Sequence, residues 1–147
     1  MRITPELAAD RLRSHDHGVL STLHPERGPD QIPVVYAVSS NNLVGIPIDE
    51  VKPKTSTRLQ RQRNLAADPR ACLLAQHWNP DDWSKLWWIR ADLLWISNPK
   101  HEDVIDMKKL LANRYHQYAN EPFADVLMFS ISNITAVSYT HLRAHET

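Results

Sequence analysis

GVLSTLHPERGPDQIPVVYAVSSNNLVGIPI, residues 18–48, is the stretch that decides the fold. Gly18–His24 reads as a strand, and Pro25-Glu26-Arg27-Gly28-Pro29 punctuates it as a turn. Gln31–Ser39 reads as a second strand. Its Pro33 has no N–H for a ladder, which points to an edge or a bulge. Ser40-Asn41-Asn42 turns the chain tightly into a third strand, Leu43–Ile48. Strands joined by such short turns imply an antiparallel meander.

Outward from this stretch, Thr4-Pro5-Glu6 opens a first helix with an N-cap, a proline at the first helical position and an acid in the first turn. Leu7, Leu12 and nearby alanines form its apolar side. A second helix is expected from about Thr57 to Ala67, with Leu59 and Leu65 as contacts, and Asp68-Pro69 ends it. Strands follow at Ala71–His77 and Leu86–Ser97, the latter the longest candidate. Asn98-Pro99 then caps a helix to about Tyr118, with Val104, Ile105, Met107, Leu110 and Leu111 on its buried side. A last strand runs from Val126 to about Val137. The order α, βββ, α, ββ, α, β predicts one mainly β (α+β) domain over residues 1–137, an antiparallel barrel with flanking helices. The last ten residues, SYTHLRAHET, break the pattern and look like translated adapter read-through, so residues 138–147 are set aside. His141 and His145 within that tail are accordingly not read as a metal pair.

The 147 residues suit one domain with a single core, and 17 Lys+Arg balance 17 Asp+Glu. That balance argues against nucleic acid as the main partner. One cysteine, Cys72, excludes a disulfide framework and a cysteine zinc site. No apolar run approaches a membrane span of roughly 18–20 residues, and no signal peptide is visible, so a cytoplasmic location is expected. With only 3 glycines there is no room for a dinucleotide or Walker loop.

Charge is nevertheless concentrated. Between Val51 and Asn64 the chain carries Lys52, Lys54, Arg58, Arg61 and Arg63 and no acid, around Thr55-Ser56-Thr57. Hydroxyls at a helix start flanked by cations make an anion site, because the first turn offers free N–H groups and a partial positive charge. Arg58 and Arg61, three apart, share a helix face. A solvated basic helix is the competing reading.

The run IDEVKPK (residues 48–54), RLQRQRNLAADPRACLL (residues 58–74) and HWNPDDWSKLWWIRAD (residues 77–92) resembles the split-barrel flavin and deazaflavin oxidoreductases related to pyridoxamine 5′-phosphate oxidase. It is most similar to their deazaflavin (coenzyme F420)-dependent branch, over about residues 10–97. The resemblance implies a six-stranded split barrel, a homodimer, and cofactor sites at the dimer interface. The ring would lie along the second and third strands, at Pro33, Val35 and Tyr36 and at Pro47 and Ile48. The phosphate would meet Lys52, Lys54, Thr57, Arg58 and Arg61, and Trp88 would present a strand residue to the ring. Relatives have glycine after the Arg-Ala-Asp of the fifth strand, where this chain has Leu93. The implied activity is hydride transfer from reduced F420 to a small organic molecule, with FMN as the alternative cofactor. The deazaflavin carries several negative charges along an extended arm, and five cations suit that arm better than one phosphate.

Other residues carry weaker signals. Trp87 and Trp88 are adjacent, so on a strand they face opposite sides, Trp88 toward cofactor or substrate and Trp87 into packing. Arg90 shares Trp88's face and is read either as an anion ligand or as an interface salt bridge. His15-Asp16-His17 lacks a further ligand nearby and reads as a polar loop, so no metal is expected. Cys72 alternates with inward-looking leucines and reads as a buried small residue. Tyr36 is a strand tyrosine that packs rather than donates a proton, and no catalytic residue is identified. A non-enzymatic barrel holding single-stranded nucleic acid by tryptophan stacking is disfavoured by the zero net charge.

Overall fold

The computed structural model describes residues 3–48, 59–118 and 125–139. Helix α1 (Pro5–Ser14) begins as expected: Thr4 Oγ1 accepts from the Leu7 N–H at 3.2 Å. Strands β1 (His17–His24) and β2 (Gly28–Val35) form a hairpin whose turn closes at Gly28, with φ +84°. That left-handed conformation favours glycine.

The expected meander fails at Tyr36. The Gln31–Ser39 strand is really two. β2 stops at Val35, and β3 (Ala37–Val38) resumes after one residue, paired not with β1 but with β4 (Leu43–Ile48). The remaining described elements are α2 (Gln60–Ala67), β5 (Arg70–His77), β6 (Trp87–Trp95), α3 (His101–Arg114) and β7 (Asp125–Ser138), with short 3-10 turns at Trp83–Lys85 and His116–Tyr118. Among the described residues, one antiparallel sheet of seven strands results, in the order β2-β1-β5-β6-β7-β4-β3. The expected count of six is therefore corrected to seven, because one strand changes edges midway.

This order forces the shape. β2 and β3 are the two outer strands of the sheet, yet only Tyr36 separates them. Two residues of extended chain span at most about 7 Å. The sheet must therefore curl until its edges meet at Tyr36, as the right-handed twist of strands permits. Beyond Tyr36, β2 and β4 do not pair among the described residues, and a split lies between them. This curled, mainly β architecture with three helices agrees with a split barrel.

Tyr36 has no ladder partner on either edge, and a buried backbone group without one is costly. Tyr115, at the C-terminus of α3, supplies it. Its hydroxyl accepts from the Tyr36 N–H at 3.3 Å and lies 2.6 Å from the Tyr36 carbonyl and 2.7 Å from that of Asp16, to which it donates. The Tyr36 side chain is fully buried, and its hydroxyl donates to the Leu12 carbonyl at 2.6 Å, one of the unpaired carbonyls ending α1. Burial pushes the Tyr36 phenol pKa well above its usual value.

Inside the barrel, Leu20, Val44, Ile46, Leu73, Ile89, Leu93 and Phe129 pack with Ala8 and Leu12 of α1 and Leu65 of α2. A second cluster puts Met107 and Leu111 of α3 on Ala37, Val126 and Met128. α3 lies so close to β4 that a Cβ at Gly45 would stand 2.2 Å from Met107 Cγ. Three expected core positions prove exposed: Leu7, Ile105 and Leu110. β7, not β6, is the longest strand, and its pairing shifts register at Asp92/Leu93. Leu93, the departure from the relatives' glycine, is thus a buried residue beside a bulge. β7 runs through Ser138, which pairs with Trp87, one residue beyond the strand end expected at about Val137.

Tyr115→Phe removes the hydroxyl that serves both Tyr36 and Asp16. The part-buried Tyr36 backbone groups lose their partner at about 1–3 kcal/mol, while the exposed Asp16 carbonyl turns to water, so the urea midpoint should fall with the m-value unchanged. An unaltered midpoint would show that water replaces the hydroxyl.

Candidate functional site

The split opens a cavity of about 320 Å³ lined by Pro33, Val34 and Val35 of β2, Ile46 and Pro47 of β4, Arg61 of α2, and His17 and Tyr118. Its walls are apolar strand edges and its rim is polar. The two prolines belong there for a reason. β2 is an edge strand, and Pro47 lies beyond the two-residue β3, which pairs only with Val44 and Gly45. Neither missing N–H breaks a ladder. The unpaired edge of β2 also turns alternate backbone donors and acceptors toward the split.

Arg61 reaches the cavity because α2 is clamped to the hairpin. Asn64 is completely buried. Its amide donates to Thr22 Oγ1 at 2.9 Å and Asp30 Oδ2 at 3.0 Å, while its oxygen accepts from Gln60 Nε2 at 2.9 Å. Such a satisfied network fixes register. Asn64 carried no separate signal in the sequence, because a polar residue in a basic helix reads as solvated. The helix start is half a capping box: the Gln62 side chain accepts from the Leu59 N–H at 2.8 Å, and Leu59 has no oxygen to return the bond. Arg61 is half-buried, whereas Arg63 is exposed and donates to Gln60 Oε1 at 3.4 Å.

Of the expected ring and phosphate residues, Pro33, Val35, Pro47 and Arg61 meet in this cavity. Lys52, Lys54, Thr57 and Arg58 lie outside the described residues. Tyr36 and Ile48 are buried and do not line the cavity. Trp88 does not line it either. It stands on the sheet's outer surface between Gln76 and Val137, with Arg90 5.7 Å over its ring and its Nε1 donating to the Tyr139 hydroxyl at 3.4 Å. Arg90 Nε is 3.9 Å from Asp92, a loose and exposed ion pair. Trp87 faces inward, as expected, against His15 and under Arg11. Trp78 and Trp83 are exposed and touch each other. Cys72 is only half-buried and faces outward opposite Asp92, with its thiol pKa raised by burial; Leu73 alone of its leucine neighbours is fully buried.

His17, expected in a polar loop, opens β1 and lines the cavity. Its Nδ1 is 2.6 Å from Asp16 Oδ1, and that bond, ahead of any other influence, lowers the Asp16 pKa. Beside it, burial and then the His17 charge lower the His15 pKa, against an opposing pull from Asp16.

No family model matches the chain, and no curated protein matches it. Solved structures do. A conserved hypothetical protein from Mycobacterium tuberculosis superposes with TM-score 0.72 at 16% identity, over 96% of this chain and 88% of that one. An FAD-binding protein from Mesorhizobium loti gives 0.67 at 13%, over 92% and 93%. A candidate pyridoxamine 5′-phosphate oxidase from Corynebacterium glutamicum gives 0.59 at 13%, over 92% and 94%. A heme-binding protein from Mycobacterium smegmatis has a similar fold as well. At these identities the likeness is one of fold. Among the described residues, no helix is long and apolar enough to cross a membrane.

The lowered His15 pKa has a sign. The unfolded chain takes up that proton more readily, so stability present above pH 6.5 is lost as pH falls toward the folded pKa. In a chelating buffer, the urea midpoint should drop between about pH 7.5 and about pH 5.5, and His15→Gln should flatten that slope. The Asp16 contribution does not interfere, since its window lies at and below pH 3.8. An unchanged slope would assign the acid sensitivity elsewhere.

Proposed function

We propose that this chain is an oxidoreductase of the flavin-binding split-barrel kind, which seats a planar ring cofactor in the split and the cofactor's phosphate at Arg61. The observation that carries this reading is the cavity itself: two apolar strand edges with one half-buried guanidinium at the end. Its volume of about 320 Å³ falls at the lower end of small-molecule sites, which fits a flat ring open to one side. Pro33, Val35 and Pro47 would exclude water from the ring's faces, and the free edge of β2 would hydrogen-bond its polar rim. Arg61 would grip a phosphate through its planar fork. Bound there, the cofactor supplies two-electron hydride chemistry, while the protein orients it and a small organic substrate.

A flavin such as FMN is the reading that the named structural neighbours support. A deazaflavin, F420, is the second, and its specific support is the run Lys52, Lys54, Arg58, Arg61, Arg63, more cations than one phosphate requires. We also propose a homodimer, in which a second copy covers the half-buried Val19, Leu74, Trp88 and Val137 of the outer sheet surface. Leaving such aromatic and aliphatic groups together in water is unfavourable.

Separate fluorescence titrations with FMN, FAD, the deazaflavin and hemin test the cofactor. FMN is expected to bind, and Arg61→Ala to weaken it by about 1.5–3 kcal/mol, less at high salt, with Arg63→Ala near wild type. A deazaflavin affinity at least about tenfold above that of FMN, about 1.4 kcal/mol, would move the assignment to the second reading. Binding of neither ring, or of hemin alone, would overturn both. Sedimentation is expected to give a dimer at micromolar concentration, and a cofactor-competent monomer would remove the second copy from the site.

A further inference from the structure

The junction between α1 and β1 brings together three metal-ligating side chains whose chemistry the ring cofactor does not use. One donor atom each from His15, Asp16 and His17 lies within 4.8 Å of the other two. We propose that these residues form a site for a borderline transition-metal dication, zinc above all, at the rim of the split.

The backbone explains the approach of the two imidazoles, while the Asp16 carboxylate folds back onto its neighbour His17. α1 ends at His15 in an extended conformation, φ −76° and ψ 147°, so residues two apart project to the same side. The His15 and His17 rings accordingly stand 5.0 Å apart, with the Asp16 carboxylate at His17 Nδ1. Ligands held about 2.0–2.1 Å from a zinc ion stand roughly 3–4 Å from one another. Small side-chain rotations close the remaining gap.

The site is also built from behind. The Arg114 guanidinium donates to the His15 carbonyl, and the Tyr115 hydroxyl to the Asp16 carbonyl at 2.7 Å. The edge of Trp87 meets the His15 ring at 5.1 Å. Backbone and ring are thus held in place, as outer groups hold ligands in metal sites. The His15 ring is set against the Gln76 backbone, and its buried Nε2 makes no hydrogen bond of good geometry. A buried polar atom is rarely left so.

Two imidazoles and one carboxylate suit zinc, nickel and copper, and suit magnesium or calcium poorly, since those ions seek several oxygens. Because His17 also lines the cavity, the remaining coordination positions would face the split. The sequence alone does not show this, because three adjacent polar residues between a helix and a strand read as a solvated loop.

Calorimetric titration of the full chain with zinc chloride, in a buffer without chelator, tests the proposal. One ion per chain is expected, with no heat from magnesium chloride. His15→Gln and His17→Gln should each weaken zinc by at least about tenfold. The double variant His141→Ala/His145→Ala should bind as wild type. Circular dichroism confirms that each variant is folded. Cu²⁺ bound to the wild type should show nitrogen hyperfine coupling from two imidazoles, and from fewer in His15→Gln. No zinc binding, binding that survives in folded His15→Gln and His17→Gln, or binding lost only with His141 and His145 would each overturn the site.

Discussion

The structure depends on one covalent constraint: a strand that must serve both edges of the same sheet. β2 and β3 are joined through Tyr36 alone and lie at opposite ends of the strand order. Hydrogen bonding between strands cannot satisfy the residue that crosses. A side chain from elsewhere has to do it, and Tyr115 does, from a helix 79 residues further along. α3 is therefore not mere cover for the sheet. Its docking at Gly45 delivers the hydroxyl that lets the barrel close, and its Arg114 takes up carbonyls of Arg13 and His15 where α1 ends.

The split follows from the same constraint. Where the chain crosses, the edges touch; away from the crossing, they part. An apolar cleft bounded by unpaired strand edges is what remains, and prolines occupy those edges because a ladder is absent. The cation at its end is placed by a different device, the buried amide of Asn64, which locks α2 to Thr22 and Asp30. Apolar walls and a positioned charge thus come from independent parts of the fold. Removing either would leave a pocket without an anchor or an anchor without a pocket.

The end of α3 supports two features at once. Tyr115 holds the crossing at Tyr36 and, with Arg114, the backbone beneath His15 and Asp16. The rim of the split and the closure of the barrel are mechanically one unit. The outer surface, by contrast, carries Trp88 and Arg90 with few ties to the interior, and the five tryptophans divide accordingly. Trp87 and Trp95 pack on the core, Trp78 and Trp83 lie in water, and Trp88 sits between.

Local patterns determined much by themselves. Thr4-Pro5 capping α1, the hairpin turn at Gly28, the helix stop at Asp68-Pro69 and the opposite facing of Trp87 and Trp88 all rest on near-neighbour chemistry, which a sequence displays directly. Pro33, Val35, Pro47 and Arg61, singled out in the sequence, line one cavity in the structure. What only the tertiary structure decided involved distant partners. That Gln31–Ser39 breaks at Tyr36 depends on which edges its halves join. That Asn64 is buried depends on Thr22 and Asp30, 42 and 34 residues away. That the loop residues His15 and Asp16 draw close to His17 rests in part on Arg114 and Tyr115, which hold the carbonyls of His15 and Asp16 from 99 residues away. Polar residues advertise no periodicity, so their burial becomes legible only when the partners that satisfy them come into place.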